Sequence, residues 1–231
     1  MPGDPTVRVE DRDGVRRITL YRPPVNALTL VEYDALAAAF TLPSERIGSP
    51  RAVLLSGTGP TWCAGQDLGE LGTQTEPGDR AAYLLRATRG VVAAARCPVP
   101  IVTVLDGPAI GAGALLVACS DIVLSTESGS LAFPELRLGM RLGRSLLTGL
   151  LPETVIAHAF VTGLPVGAAR LHQMGVVAEV VPAADLEVRA EKVLADLLSL
   201  GDESLRWLCR RDEKRADAYL HEVAQTAEHI A

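Results

Sequence analysis

Two glycine-bearing turns constrain this chain more than any other feature: Cys63-Ala64-Gly65-Gln66-Asp67-Leu68 and Ile110-Gly111-Ala112-Gly113-Ala114. Each follows a short apolar run and opens onto a stretch of helical character. A helix start carries unpaired backbone N–H groups and partial positive charge, so each turn suits an anion. Any one of Gly65, Gly111 or Gly113 alone also fits an ordinary turn or a helix-packing glycine. Two such turns in one chain point to a shared job, the gripping of one oxygen that becomes negative during a reaction. Glycine serves that job because it has no Cβ to hold a ligand away from the backbone.

Composition narrows the class. The 231 residues are 48% hydrophobic, enough to bury a core in one domain with, at most, a helical appendage. A formal charge of −6 and the lack of a Lys/Arg cluster argue against a nucleic-acid surface. Cys63, Cys97, Cys119 and Cys209 form no C-x-x-C pair, and His158, His172, His221 and His229 lack metal-ligand spacing. We therefore expect reduced structural thiols and no metal site. The Met1-Pro2-Gly3-Asp4 start has no signal pattern, and no apolar run reaches the roughly 18 residues of a spanning helix. The expectation is a soluble, cytoplasmic protein that contacts neither nucleic acid nor membrane.

Along the chain, strand, turn and helix recur. Val7 to Glu10 and Val15 to Tyr21 read as a hairpin about Asp13-Gly14. Arg22-Pro23-Pro24-Val25-Asn26 interrupts, because proline removes ladder donors, and Leu30 to Phe40 carries an alanine-rich helical pattern. Ala52 to Ser56 reads as a buried strand before the first glycine turn, and Asp79 to Arg96 as a helix. Thr73 to Gly78 fits a surface loop or a lid. Ile101 to Leu105 is a strand, the second turn opens a helix over Gly111 to Cys119, and Ile122 to Ser125, Leu131 to Phe133 and Val176 to Val181 are further strands. Asp185 to Leu200 and Glu203 to about Glu228 are charged, periodic helices.

From Val15 to Pro182 the chain resembles the crotonase (enoyl-CoA hydratase/isomerase) superfamily. Six segments carry the resemblance in order: Arg22 to Leu28, Ala52 to Gly57, Cys63 to Leu68, Pro98 to Ala118 with Asp121, Phe133-Pro134-Glu135, and Thr162-Gly163 through Gly175 to Pro182. The resemblance implies an α/β fold, a spiral of repeated ββα units over residues 1–182, with a C-terminal helical region at 183–231 that takes part in oligomerisation. It also implies a homotrimer or dimer of trimers, and an acyl-CoA thioester as substrate with no covalently bound cofactor. The two backbone donors of the family's oxyanion hole map onto the N–H groups of Gln66 and Ala112. Such donors are worth roughly 3 kcal/mol each to an enolate-like transition state. By the same resemblance Val25, Ala64, Gly65, Asp67, Leu68, Gly111 and Leu115 lie along the acyl-CoA. The Ala64 carbonyl then meets adenine, Pro24-Val25-Asn26 lines the nucleotide end, and Lys214 or Arg215 reaches a neighbouring subunit's phosphates.

Hydratases of this family use two glutamates as paired acid and base. The second maps to Glu135, and the first falls on Leu115, in a helix with no acid. Asp121 matches a structural position. A lone Glu135 favours isomerase-type proton transfer over two-glutamate hydration, unless it is only an exposed acid after a turn proline. Arg141 and Arg144, in a segment shorter than the family's, fit three roles: pairing with Glu135 and lowering its pKa, meeting a carboxylate on an unusual substrate, or standing in an exposed loop. Glu32 and Glu70 read as solvated helix charges. Two alternatives stay open: an accessory crotonase-like subunit without chemistry, and a biosynthetic enzyme acting on an unusual thioester.

Overall fold

The computed structural model describes residues 6–42, 49–209 and 213–230. Asp13 and Gly14, at φ 53° and 78°, turn β1 (Val7–Arg12) back on β2 (Val15–Leu20) as an antiparallel hairpin. The chain then passes through β3 (Ala27–Leu28) into α1 (Leu30–Phe40), where Thr29 caps the helix and Glu32 reaches back to the Thr29 N–H. The next turn of the spiral is β4 (Ala52–Gly57), β5 (Gly65–Gln66) and the helices α2 (Leu68–Gly72), α3 (Pro77–Ala87) and α4 (Arg89–Ala95). A third follows as β6 (Ile101–Leu105), β7 (Pro108–Ile110) and α5 (Ala112–Ala118). The fourth holds β8 (Ile122–Ser125), β9 (Ser130–Ala132), a 3-10 turn at Glu135–Leu138, α6 (Arg144–Leu147) and α7 (Glu153–Thr162). Then come β10 (Val166–Gly167), α8 (Ala168–Gln173), β11 (Glu179–Val180), α9 (Leu186–Leu198), α10 (Asp202–Leu208) and α11 (Glu213–Ile230).

The first strand of each turn enters one six-stranded sheet, ordered β1-β2-β4-β6-β8-β11 and parallel after the opening hairpin. The second strands form smaller sheets, β3 with β5 and β7-β9-β10, linked by a bridge between Cys63 and Ala109. Strand alternation sends successive side chains to opposite faces. Ile18, Leu55 and Ile101 thus join the main core with Trp62 and Phe133, whereas Val15, Leu54 and Val102 meet Ala190, Leu194 and Leu197 of α9 on the other face. With both faces covered, β4 and β6 read as apolar runs rather than as alternating sequence. No helix among the described residues is long and apolar enough to cross a membrane.

Several elements differ from the sequence reading. The helix expected over Asp79 to Arg96 is broken at Thr88, whose hydroxyl bonds back to the Leu85 carbonyl at 2.9 Å. Pro77 and Gly78, read as loop, begin α3, because proline suits a first helical turn. The last strand shrinks to Glu179–Val180, and the helix expected from Glu203 is two helices, with residues 210–212 outside the described set. Met1 to Asp4, read for a signal pattern, also lie outside it.

Buried Asn26 fastens the first turn of the spiral to the second. Its Nδ2 donates to the carbonyls of Thr58 (2.7 Å), Thr61 (3.1 Å) and Trp62 (3.1 Å), and its Oδ1 accepts from Arg22 N at 2.8 Å. Removing the amide strands several buried backbone groups, so we expect Asn26→Ala to cost about 3 kcal/mol. Thermal unfolding should register this as a Tm lowered by roughly 10 °C.

Candidate active site

The spiral brings the two glycine turns side by side. Cys63 N donates to Pro108 O at 3.2 Å, and Ile110 N donates to Cys63 O at 2.8 Å. At Gly65 (φ 78°) a Cβ would stand 2.4 Å from Ile110 O, and at Gly113 it would stand 2.7 Å from Cys63 Cβ. These glycines are therefore required by backbone contact between the turns themselves. Gly111 (φ 54°) precedes α5, a strained position for any side chain.

Two N–H groups are left for other work. Asp67 N donates to Leu28 O at 2.9 Å, so strand alternation turns the Gln66 N–H away from β3. Ala112 is the first residue of α5, and its N–H has no acceptor within the helix. Both residues line a cavity of about 140 Å³ that also receives Glu135 and Leu115.

Glu135 opens the 3-10 turn after Pro134 and is 3% exposed, which sets aside the reading of an exposed acid. Neither of its carboxylate oxygens has a hydrogen-bond partner. Its Oε1 lies 3.5 Å from the position a Cβ would take on Gly111, and desolvation pushes its pKa up to about 7. Leu115 is fully buried in the same wall. A Cβ on Gly143 would come within 3.0 Å of Leu115 Cδ2, so the leucine fills the space against the short segment that follows Met140.

Arg141 and Arg144 do not reach Glu135. Both are exposed; Arg144 pairs with Glu153, and the Arg141 guanidinium lies 3.4 Å from His229 Nε2. Of the three roles open to them, pairing with Glu135 is therefore set aside and the exposed position is the one seen; burial and not a cation sets the environment of Glu135. Arg215 donates to the Ser145 and Leu146 carbonyls of its own chain. Glu32 and Glu70 are likewise no solvated charges. Glu32 is buried in the capping box, and Glu70 accepts from Leu30 N at 2.9 Å and Tyr83 Oη at 2.5 Å. Asp121 accepts from Ile101 N at 2.8 Å, a structural bond as expected.

The remaining sequence-derived positions lie around the first turn. The Ala64 N–H donates to Val25 O at 2.9 Å, and Asp67 caps α2 by accepting from Glu70 N at 3.0 Å while pairing with Arg22 at 2.9 Å. Val25 and Leu68 stay partly exposed, Leu68 at the cavity wall beside Ala64. Buried Cys63 accepts from Gly65 N through Sγ at 3.4 Å, and burial pushes its thiol up to about 12, far from a reactive thiolate. Among the described residues no group of three or more His, Cys, Asp or Glu is placed to hold a metal.

Sequence reasoning missed Tyr33 and Tyr219, which line the cavity from α1 and α11. A signal existed for the second: Ala216, Tyr219, Val223 and Ala227 recur on one helical face, and all are buried. Glu222 on the same helix accepts from Gly143 N (2.7 Å) and Ser145 N (2.8 Å), which ties α11 to the segment carrying Met140 and Leu142.

Among known proteins, a Mycobacterium tuberculosis protein named (7aS)-7a-methyl-1,5-dioxo-2,3,5,6,7,7a-hexahydro-1H-indene-carboxyl-CoA hydrolase is 31% identical over 206 residues, covering 87% of this chain and 81% of its own. A probable enoyl-CoA hydratase of Rhodobacter capsulatus is 32% identical over 191 residues, covering 79% of this chain and 71% of its own. The crystal structure of an enoyl-CoA hydratase from Mycobacterium smegmatis aligns with a TM-score of 0.81 at 27% identity, over 98% of this chain and 90% of that one. Residues 10–229 match the family described as Enoyl-CoA hydratase/isomerase, a span that takes in both glycine turns, the Pro134-Glu135 step and α11 up to His229. The chain belongs to that family, within the crotonase superfamily.

Proposed function

We propose that this chain is an acyl-CoA enzyme that moves a proton on a thioester enolate with a single carboxylate. The observation that carries the reading is Glu135, buried and unpartnered in the cavity that Gln66 and Ala112 also line. A thioester carbonyl oxygen held by the Gln66 and Ala112 N–H groups accepts the electron pair released when a C–H bond at the α carbon breaks. The Glu135 carboxylate takes that proton and returns it to the γ carbon, so that a 3-enoyl thioester becomes a 2-enoyl thioester and the base is regenerated. A carboxyl near neutrality suits both halves of this transfer.

Hydration by the usual route needs a second acid-base group to direct water. Leu115 supplies none, and among the described residues no other carboxylate lines the cavity. The likeness to the M. tuberculosis hydrolase favours, as a second reading, water-dependent cleavage of an unusual thioester with the same oxyanion donors. An accessory subunit without chemistry is the weaker reading, because it gives no reason to bury an unpaired carboxyl. Val91 and Trp62 hold the core in either case, whereas Val188 and Trp207, largely exposed on α9 and α10, support residues 183–231 as the surface that joins a trimer or dimer of trimers.

Two measurements test the reading. With 3-hexenoyl-CoA and 2-hexenoyl-CoA as alternative substrates, double-bond migration should exceed hydration, and Glu135→Gln should lower kcat by about 10²–10⁴-fold. Hydration outpacing migration, or an unimpaired Glu135→Gln enzyme, would overturn it. The second measurement is the pH dependence of activity and stability. kcat/KM should rise with pH through about 7 as Glu135 becomes the base. For stability the unfolded chain releases this proton first, from the ordinary 4.5, and the folded chain only near 7. Ionisation of Glu135 therefore lowers stability progressively across that window and by a constant amount above it. Relative to the parent, Glu135→Gln should be no more stable at about pH 4 and about 3 kcal/mol more stable at about pH 8.

A further inference from the structure

We propose that the hydroxyls of Tyr33 and Tyr219 hold a neutral oxygen of the acyl group, so that the substrate is a compact acyl-CoA oxygenated beyond its thioester carbonyl. This rests on the acyl-CoA reading above and adds the chemistry of the acyl part. The two tyrosines come from opposite ends of the chain, α1 and α11, and meet at one cavity with Glu135. The residues are 1% and 2% exposed, and neither hydroxyl bonds to a described residue; both oxygens open onto the cavity rather than being sealed in the core.

Buried hydroxyl and indole groups are usually paired, and several in this protein are. Trp62 Nε1 donates to Val104 O at 2.7 Å, Tyr83 Oη to Glu70, and Thr88 Oγ1 to Leu85 O. A phenylalanine would fill either tyrosine site without an unpaired donor. Gln66 lines the same cavity, with its side-chain amide beside the Tyr83 hydroxyl. Elsewhere the wall is mostly apolar, with Leu84, Leu115, Met140 and Leu142. Donors gathered in an apolar space find their acceptor on the ligand.

The acceptor is neutral. Burial raises both phenols above their ordinary value, which keeps them protonated donors. A carboxylate on the acyl group would be buried near Glu135 with no cationic side chain among the described residues lining the cavity. A plain hydrocarbon tail would leave both donors unpaired. A ketone or hydroxyl oxygen meets every requirement. Size limits the remainder: the space is about 140 Å³, and an apolar cavity of ~150 Å³ holds one benzene, or about six carbons.

Calorimetric titration of the full chain with two matched pairs decides the matter: 4-oxopentanoyl-CoA against 4-methylpentanoyl-CoA, and 3-oxobutanoyl-CoA against 3-methylbutanoyl-CoA. Each pair differs by one oxygen at nearly constant shape. The parent should bind the oxo member of at least one pair about tenfold more tightly, and Tyr33→Phe or Tyr219→Phe should bring that ratio close to one. Equal binding of both members by the parent overturns the inference while leaving the acyl-CoA reading intact, and it does so even if the variants fail to fold. A preference that survives both Phe variants also overturns it. If no member of either pair binds, the acyl-CoA reading falls and the inference falls with it.

Discussion

Backbone-to-backbone packing of the two glycine turns is the contact on which the site is built. Cys63 and Ile110 exchange hydrogen bonds with each other's strands, and the Cα atoms of Gly65 and Gly113 lie where any side chain would collide with the opposite turn. The constraint is steric and mutual. Each turn holds the other in place, and Gln66 and Ala112 line one cavity between them. Both donors belong to a strand and a helix start within the core, so their positions do not depend on mobile side chains.

Glu135 gains its character from the same packing. The turn at Pro134 carries it into an apolar cavity where no donor satisfies it, and burial alone keeps it near neutrality. Leu115 opposite contributes volume rather than charge and packs against Gly143. Leu115, Met140 and Leu142 thus form one apolar side of the cavity, closed by residues of the same chain.

Helix α11 completes that closure from the same chain. Thr226 bonds both to the N–H and to the carbonyl of Arg141, Glu222 accepts two N–H groups from the Gly143 to Ser145 segment, and Arg215 takes two carbonyls near it. Together these side chains join α11 to the wall that carries Met140 and Leu142. Tyr219 is then placed between them at the cavity. Polar residues that read as a solvated helix face are, in the fold, a set of clamps on backbone that has no regular partners.

Much of this architecture is legible in the residues alone, because it follows from local rules. The order strand, strand, helix comes from short apolar runs broken by proline and glycine, and α1 is bounded by the Thr29 and Glu32 capping pair. The glycine turns are likewise matters of residue identity and spacing, whereas Glu135 and Leu115 are singled out by the resemblance to a family. Partnership between distant segments is not local. Whether Arg141 and Arg144 meet Glu135, whether Glu32 and Glu70 face water, and whether Arg215 turns inward depend on which elements lie within hydrogen-bond reach after folding. The structure left Arg141 and Arg144 exposed, one of the roles open to them, and decided against the sequence expectation for Glu32, Glu70 and Arg215. It also brought Tyr33 and Tyr219 from near the two ends of the chain to one cavity, since α1 and α11 both pack on α3 and α4 and so place residues far apart in sequence beside the same buried carboxylate.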